Sequence, residues 1–212
     1  NNEPWEYIRG YTFFKDNKLF VNSSTLIPRI ETEQLVDMTI ERIDKDTKQI
    51  IEIGSGTGSI IISIAKELEK KNISNIKLIA IEYYDDAIEL LNSNIKINKI
   101  NNIEVIKSNL LTNTSNIDKT LPTILVANLP YISEDEYKEL QPSVKNFEPK
   151  TALVGGGKGS ELIIDLIEQS KLFNIQSIIL EGSESINNEI VKKYHQSRIV
   201  KDIFERDRFI VL

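Results

Sequence analysis

The segment QIIEIGSGTGS, residues 49–59, joins an apolar strand to a turn that contains three glycines. The residues that follow, SIIISIAKELEKK, repeat apolar side chains at helical spacing, so the segment predicts a strand–turn–helix unit. Glycines let a ligand approach the backbone, and ligands of open α/β sheets bind at this end of the strands. The pattern E-x-G-x-G-x-G has Ser59 where a dinucleotide-binding turn needs glycine, and it lacks the Lys-Ser/Thr pair of a P-loop. A ligand-binding turn is therefore favoured, with a glycine turn that binds nothing as the alternative.

Outward from this unit, apolar strands alternate with helical segments. The later strands are predicted at residues 77–84, 103–109, 123–130 and 177–183. This alternation predicts an α/β fold, a doubly wound parallel sheet with helices on both faces. The tail, residues 197–212, adds two strands too close together for a crossover, so the sheet should end in an antiparallel hairpin. Residues 11–22 predict a separate hairpin that turns over residues 15–18.

Polar residues follow two of these strands. Glu82 ends the second strand, where a carboxylate can accept hydrogen bonds from ribose hydroxyls. Asn109 ends the third strand, where its amide could contact an adenine amino group. Asn109 alone indicates little. A solvated strand end is the alternative for Glu82, but it is weak beside the glycine turn.

The segment ILVANLPY, residues 124–131, runs from a buried strand directly into a polar amide. One interpretation is an ordinary turn. The other is a site for a planar N–H₂ group, whose two hydrogens would be accepted by the Asn128 side-chain carbonyl and the Leu129 backbone carbonyl. Pro130 would fix the backbone, and the ring of Tyr131 could lie against the planar group. The second interpretation is favoured once the glycine turn is taken to bind a ligand.

Together these features resemble class I S-adenosylmethionine-dependent methyltransferases, over residues 50–212. The resemblance implies a Rossmann-like doubly wound sheet and S-adenosyl-L-methionine as cofactor. It places the glycine turn under the methionine end of the cofactor, Glu82 at the ribose and Asn109 with Leu110 at the adenine. The cofactor-binding residues it implies are Glu52, Gly54, Ser55, Gly56, Thr57, Gly58, Glu82, Asn109, Leu110 and Asn128. The catalytic residues it implies, without a metal ion, are Asn128, Leu129, Pro130 and Tyr131.

The flanking segments resemble the HemK/PrmC family, protein-(glutamine-N5) methyltransferases of peptide chain release factors. LFVNSSTLIPRIETEQLVD, residues 19–37, is similar to the family's L-I-P-R-P-x-T-E segment, with Ile30 in place of the second proline. Residues 147–159 match its F-E-P-x-x-A-L-x-x-G-x-x-G segment, and ILEGS, residues 179–183, resembles its L-E-H-G. The family's entry pattern is matched at Pro4, Tyr7, Ile8, Gly10 and Phe14. The resemblance implies that the substrate is the glutamine of a Gly-Gly-Gln motif, and that the partner is a release factor.

Besides Ile30, three further positions depart from the family. Leu129 replaces a proline of N-P-P-Y, Leu110 stands where an aromatic is common, and Gly182 replaces a histidine. The family's N-terminal helical substrate-binding domain has no counterpart, so the chain is expected to be the catalytic part alone. The expected units are residues 1–33, a hairpin with a connecting segment, and residues 34–212, the methyltransferase domain. Residues 155–159 predict a flexible loop.

Two alternatives stay open at this point. N-L-P-Y also resembles rRNA adenine dimethylases, so an N6-adenine methyltransferase acting on rRNA or DNA is the first, and an inactive cofactor-binding module is the second. The chain has 26 basic and 32 acidic residues, a net charge of −6, which disfavours binding of nucleic acid by charge alone. Contact with nucleic acid is expected only through the ribosome. The absence of cysteine excludes a disulfide framework and a thiolate metal site. No apolar run has the length of a membrane span, so a cytoplasmic location without membrane partners is expected.

Overall fold

The computed structural model describes residues 2–212. The strands within them are β1 (Tyr11–Phe14), β2 (Asn17–Phe20), β3 (Gln49–Ile53), β4 (Lys77–Glu82), β5 (Ile103–Lys107), β6 (Thr123–Ala127), β7 (Ile132–Ser133), β8 (Val154–Gly156), β9 (Ile175–Glu181), β10 (Arg198–Lys201) and β11 (Asp207–Val211). The helices are α1 (Trp5–Arg9), α2 (Glu33–Glu41), α3 (Ser59–Lys70), α4 (Asp85–Ile97), α5 (Glu134–Lys138), α6 (Pro142–Lys145), α7 (Glu161–Ser170) and α8 (Glu184–Lys193). Within this part of the chain, no helix combines the length and the apolar character needed to cross a bilayer.

Seven strands form one sheet in the order β10-β11-β9-β6-β3-β4-β5. The five strands from β9 to β5 in this order run parallel, while β11 is antiparallel to β9 and β10 is antiparallel to β11. This confirms the doubly wound sheet with a terminal antiparallel hairpin. The strand order reverses around β3, which lies between β4 and β6, so a crevice opens at the carboxyl ends of β3 and β6.

Two apolar layers cover the two faces of the sheet. Successive residues of a strand point to opposite faces, and Ile50 accordingly lies in one buried cluster and Ile51 in the other. The first cluster includes residues of α2, α3 and α4, and the second includes residues of α7 and α8. All five residues of β3 and of β6 are buried, as expected for central strands of a parallel sheet covered on both sides.

The N-terminal hairpin turns more tightly than the sequence predicts. Lys15 and Asp16 both have positive φ, 43° and 64°, the signature of a two-residue turn whose twist matches the strands. Strand β2 therefore begins at Asn17, inside the predicted four-residue turn. The amide of Asn17 donates to Ser63 of α3 at 3.0 Å, which attaches the hairpin to the larger sheet layer. The predicted unit boundary after residue 33 stays a prediction.

The prediction of a flexible loop at residues 155–159 is wrong for its first part. Gly155 and Gly156 belong to β8, which pairs in parallel with β7. A Cβ on Gly155 would lie 2.2 Å from the carbonyl oxygen of Pro130. Only a residue without a side chain lets this strand approach the segment that follows β6, and the pairing partner is too far away in sequence for periodicity to reveal it.

Candidate active site

A cleft of about 1070 Å³ opens at the carboxyl ends of the central strands. This volume includes space that is open to solvent, and the cleft is a concave site of the kind that binds small molecules. Nine of the ten residues that the sequence predicts to bind cofactor line this cleft, namely Glu52, Gly54, Ser55, Gly56, Thr57, Glu82, Asn109, Leu110 and Asn128. Residues between β2 and α2, among them Thr25, Pro28 and Arg29, complete the wall.

The glycine turn has a backbone that most residues cannot adopt. Gly54 and Gly56 have φ of +69° and +51°, in the left-handed region. The N–H groups of Gly54 and Ser55 both donate to the carbonyl of Ile81, at 2.8 and 3.1 Å, which fixes the turn to β4. A Cβ on Gly56 would meet only Thr25, at 4.0 Å, so it would point into the open cleft.

Gly58 is the predicted cofactor residue that does not line the cleft. A Cβ at this position would lie 2.4 Å from Cδ1 of Leu91 and 3.1 Å from Cδ1 of Ile62. Its φ of +79° is also left-handed. The glycine therefore lets α4 pack against the start of α3, and its predicted contact with the cofactor stays a prediction.

The carboxylate of Glu82 is arranged by backbone donors before any ligand is considered. Its side chain accepts hydrogen bonds from the N–H groups of Gly56, at 2.9 Å, Tyr83, at 2.7 Å, and Tyr84, at 3.1 Å. An ionised carboxylate has about four acceptor positions, so one stays open toward the cleft. This arrangement ties the glycine turn to the end of β4 and leaves Glu82 able to accept from a hydroxyl.

Asn109 and Leu110 follow β5 and differ in exposure. Asn109 is exposed, whereas Leu110 is buried and packs in the apolar layer under α7. Leu110 has φ of 50°, which is rare for a residue other than glycine and is found mostly at constrained positions. Both residues face the cleft, as the predicted adenine contact requires.

Glu52 is a carboxyl group that the fold keeps from water. Burial raises the pKa of Glu52 from 4.5 to about 8, although hydrogen bonds from Ser55 and the Ile61 backbone oppose the shift, and Glu82 adds to it. The residue is 1% exposed and accepts from the N–H of Ile61 at 3.2 Å. Near neutral pH the group is therefore largely protonated, and a positively charged ligand in the cleft would favour its ionisation.

This shift makes the stability of the fold depend on pH. The folded chain holds the Glu52 proton more tightly than the unfolded chain, so stability should fall as pH rises above 4.5 and level off beyond about 8. The unfolding free energy of Glu52→Gln, relative to that of the parent, should therefore rise by a few kcal/mol as the pH increases from about 5 to about 9. Urea unfolding at several pH values measures this, with Glu69→Gln, whose side chain is 72% exposed, as the control. A difference that stays constant with pH would contradict the expectation.

Asn128 follows β6, and one end of its side-chain amide is hydrogen-bonded within the protein. Its amide nitrogen donates to Oγ1 of Thr32 at 3.1 Å, and Thr32 donates to Oε2 of Glu181 at 2.7 Å. Thr32 and Glu181 are each 3% exposed. Burial raises the pKa of Glu181, while the Thr32 hydrogen bond and the charge of Arg208 oppose the rise.

Two carbonyl oxygens at the end of β6 have no partner within residues 2–212. Neither Oδ1 of Asn128 nor the backbone oxygen of Leu129 accepts a hydrogen bond from this part of the chain. The Leu129 side chain is buried against the glycine turn, and its Cδ2 would lie 3.0 Å from a Cβ on Gly54. A second cleft of about 600 Å³ shares residues 128–130 with the first. The two free acceptors therefore lie in the segment that both clefts share.

Tyr131 lines only the second cleft. Its hydroxyl donates to Oε1 of Glu181 and accepts from Arg208, both at 3.2 Å. Burial, with the neighbouring charge of Glu181, raises the pKa of Tyr131 above its ordinary value, so the phenol keeps its proton. The predicted stacking of its ring on a substrate stays a prediction, while its hydroxyl has a partner that the sequence did not indicate.

The sequence prediction of site residues did not include Thr32, Glu181 or a further buried acid, Glu148. Glu148 accepts from the N–H of Ile27 at 3.2 Å and forms an ion pair with Arg29, which joins the segment before α2 to the loop after α6. The available signal was positional, since Glu181 ends a central strand just as Glu82 does. Within the described residues, no group of His, Asp and Glu side chains is placed to hold a metal ion.

Comparison with known sequences matches the chain to methyltransferases. The model of a family described as lysine methyltransferase matches residues 23–154. The release factor glutamine methyltransferase of Aliivibrio fischeri is 37% identical over 169 residues, covering 80% of this chain and 57% of that protein. The enzyme of the same name from Lactococcus lactis is 34% identical over 218 residues, covering 99% of this chain and 77% of that protein. The chain thus spans just over half the length of the first relative and about three quarters of the second.

Solved structures share the fold at low identity. A methyltransferase from Pyrococcus furiosus superposes with a TM-score of 0.60 at 16% identity, over 91% of this chain and 86% of that one. The hMettl16 catalytic domain, solved in complex with the MAT2A 3'UTR hairpin 1, gives 0.65 at 11% identity, over 97% and 86% of the two chains. These likenesses concern the architecture of the sheet and its helices.

Proposed function

The chain belongs to the family of release factor glutamine methyltransferases, and from this premise we propose that it methylates the side-chain amide nitrogen, N5, of a glutamine in a peptide chain release factor. The methyl donor is S-adenosyl-L-methionine. The glutamine would be that of a Gly-Gly-Gln motif. The observation that supports this assignment most is the pair of unpartnered carbonyl oxygens, on Asn128 and Leu129, at the junction of the two clefts.

The residues of the first cleft fit this cofactor. The turn at Gly56 leaves a space that a side chain would fill, and Glu82 keeps one acceptor position for a ribose hydroxyl. Glu52, buried and close to Glu82, suits a ligand that carries positive charge. Asn109 and Leu110 line the part of the cleft beyond Glu82, where the base would lie. When bound, the cofactor supplies an electrophilic methyl group on a positively charged sulfur.

The chain's own contribution to the reaction is positional. An amide nitrogen is a weak nucleophile because its lone pair is shared with the carbonyl group. Two acceptors that bind both of its hydrogens would hold the nitrogen in one orientation and increase its electron density, and such orientation lowers a reaction barrier substantially. Asn128 Oδ1 and the Leu129 carbonyl would be these acceptors. Formation of the N–C bond leaves one proton in excess on nitrogen, and this proton can pass to water.

The same geometry favours an amide over a lysine ammonium. A lysine must lose a proton before it can accept a methyl group, so its methylation needs a route for that proton. Among the described residues that line the second cleft, Glu181 is the one carboxylate, and its two oxygens already accept from Thr32 and Tyr131. A neutral glutamine amide does not have to lose a proton before it accepts the methyl group.

Release factors act in the cytoplasm, and we place this activity there, with no membrane partner. The described residues contain no helix that could cross a bilayer, which is compatible with this location. The net charge of −6 supports a protein substrate over a nucleic acid held by its phosphates. Contact with rRNA would then arise only through the ribosome.

The test uses labelled S-adenosylmethionine with three substrates: a bacterial release factor, the same factor with its Gly-Gly-Gln glutamine changed to lysine or alanine, and ribosomal RNA. We expect label in the unchanged factor alone, located on the glutamine by mass spectrometry. Label on the lysine variant or on other lysines would favour the activity described for the matched family model. Label in RNA with none in the factor would overturn the proposal.

A further inference from the structure

The side-chain amide of Asn128 has two possible orientations, and only one of them suits the proposed role. The side-chain amide of Asn128 presents either its oxygen or its nitrogen to the substrate, because the two ends are almost equal in size and shape. Only the oxygen can accept a hydrogen from a substrate N–H₂ group. With the amide turned round, two donors would face each other. Something must therefore bind the Asn128 nitrogen on the side away from the substrate.

Thr32 occupies that side, and its chemistry is set by its other neighbour. A hydroxyl has one hydrogen to donate, and Oε2 of Glu181 is placed to accept it from Thr32. The hydrogen of Thr32 is therefore given to Glu181, at 2.7 Å, and the Thr32 oxygen must accept from Asn128, at 3.1 Å. We propose that Thr32 and Glu181 are positioning residues that fix the rotation of the Asn128 amide so that its oxygen faces the substrate. This inference rests on the proposed function.

The position of Thr32 shows that its hydroxyl is diverted from a more usual role. Thr32 is the N-cap of α2, where a threonine side chain commonly accepts from the first backbone N–H groups. Here it makes no such capping bond, and the hydroxyl points instead to Glu181. The N-terminus of α2 thus lacks the capping hydrogen bond, and the Thr32 hydroxyl instead binds Asn128 at the end of β6.

Glu181 is itself held in place at the end of β9, beside β6 in the sheet. Its second oxygen accepts from Tyr131, whose hydroxyl accepts in turn from Arg208. One buried carboxylate therefore anchors both ends of the N-L-P-Y segment, Tyr131 directly and Asn128 through Thr32. Every hydrogen in this chain of contacts has one possible direction as long as Glu181 accepts only.

The two variants Thr32→Val and Glu181→Gln should release the Asn128 amide. Valine matches threonine in shape but offers no oxygen. Glutamine can donate to Thr32, which then turns its own hydrogen toward Asn128 and favours the reversed amide. Residues that orient the ligands of metal sites typically change activity by about 10–100-fold, and we take the same range for this orienting contact. In both variants, we expect kcat for release factor methylation to decrease by a factor within that range. Cofactor affinity should change less than about twofold. Thr32→Ser keeps the hydroxyl and should retain most of the rate.

Two comparisons separate positioning from damage to the fold. Thr39 lies in α2, is fully buried and donates to the carbonyl of Leu35, so Thr39→Val removes a similar hydroxyl outside the network. It should leave kcat unchanged. The double variant Thr32→Val/Glu181→Gln should be no slower than Glu181→Gln alone, because the effect of Thr32 on Asn128 depends on Glu181, whereas Glu181 also binds Tyr131 directly. Rate losses that multiply would overturn the inference, as would a Thr32→Val enzyme with the parent rate.

A measurement on the protein without substrate keeps the inference independent of the proposed function. The Asn128 side-chain N–H₂ should give a distinct, slowly exchanging signal in ¹⁵N NMR of the parent, because Thr32 holds it. That protection should be lost in Thr32→Val and in Glu181→Gln and kept in Thr32→Ser and Thr39→Val. If protection is unchanged in the first two variants, the inference fails even in an active enzyme. If protection is lost as expected but the parent labels no release factor, the proposed function fails and the positioning network stands.

Discussion

Asn128→Ala is expected to slow methyl transfer to a release factor by about 10²–10³-fold, the loss seen when one positioned polar contact to a reacting group is removed. The physical reason is orientation, because alanine leaves Leu129 as the only acceptor and the target nitrogen can then rotate. Cofactor affinity should change little, since the other eight predicted cofactor residues in the cleft are untouched. Single-turnover transfer measures the first quantity, and calorimetry with S-adenosylmethionine measures the second.

A matched asparagine shows whether the effect is local. Asn174 precedes β9, at the opposite end of the sheet from the cleft, and its exposed amide donates to the carbonyl of Thr120 at 2.9 Å. Asn174→Ala removes an equal side chain and should transfer methyl at the parent rate. Should Asn128→Ala also transfer at that rate, the segment after β6 would be only a turn, and the amide-binding role would be wrong.

The sheet could be predicted from sequence because its signals are local. Strands β3 and β6 are mostly apolar and fully buried, and each is followed by a residue that is uncommon in strands, Gly54 in one case and Asn128 in the other. The rule that parallel strands align their carboxyl ends then brings these residues together without knowledge of any contact. The closely spaced tail strands fixed the antiparallel ending in the same way.

The support of Asn128 could not be predicted, because it depends on pairs that are distant along the chain. Thr32 lies 96 residues before Asn128 and 149 residues before Glu181. The segment ILEGS drew attention through its resemblance, but nothing local indicates that its glutamate would meet the N-cap of α2. The packing contact of Gly58 could not be predicted for a related reason, since a glycine suits helix packing and ligand approach equally well and the neighbouring Leu91 is distant along the chain.

Gly56→Val is expected to lower the affinity for S-adenosylmethionine by about 100-fold or more, equivalent to roughly 2.8 kcal/mol. The cause is steric, because a Cβ at this position points into the cleft with only Thr25 near it, at 4.0 Å. Valine also has to adopt φ near the observed +51°, which costs a residue with a side chain about 1–2 kcal/mol of stability. Calorimetric titration gives the affinity, and urea unfolding gives the change in stability.

The two causes can be separated at another glycine of the same chain. Gly10 ends α1 with φ of +76°, and a Cβ there would have nothing within 4 Å. Gly10→Val should therefore lose a comparable amount of stability from the same left-handed strain, yet bind cofactor like the parent, since it does not line the cleft. Equal losses of affinity in both variants would mean that backbone strain alone weakens binding, and the glycine turn would no longer mark the cofactor site. Loss of affinity at Gly56 alone, at matched stability, identifies the space beside that glycine as the place the cofactor occupies.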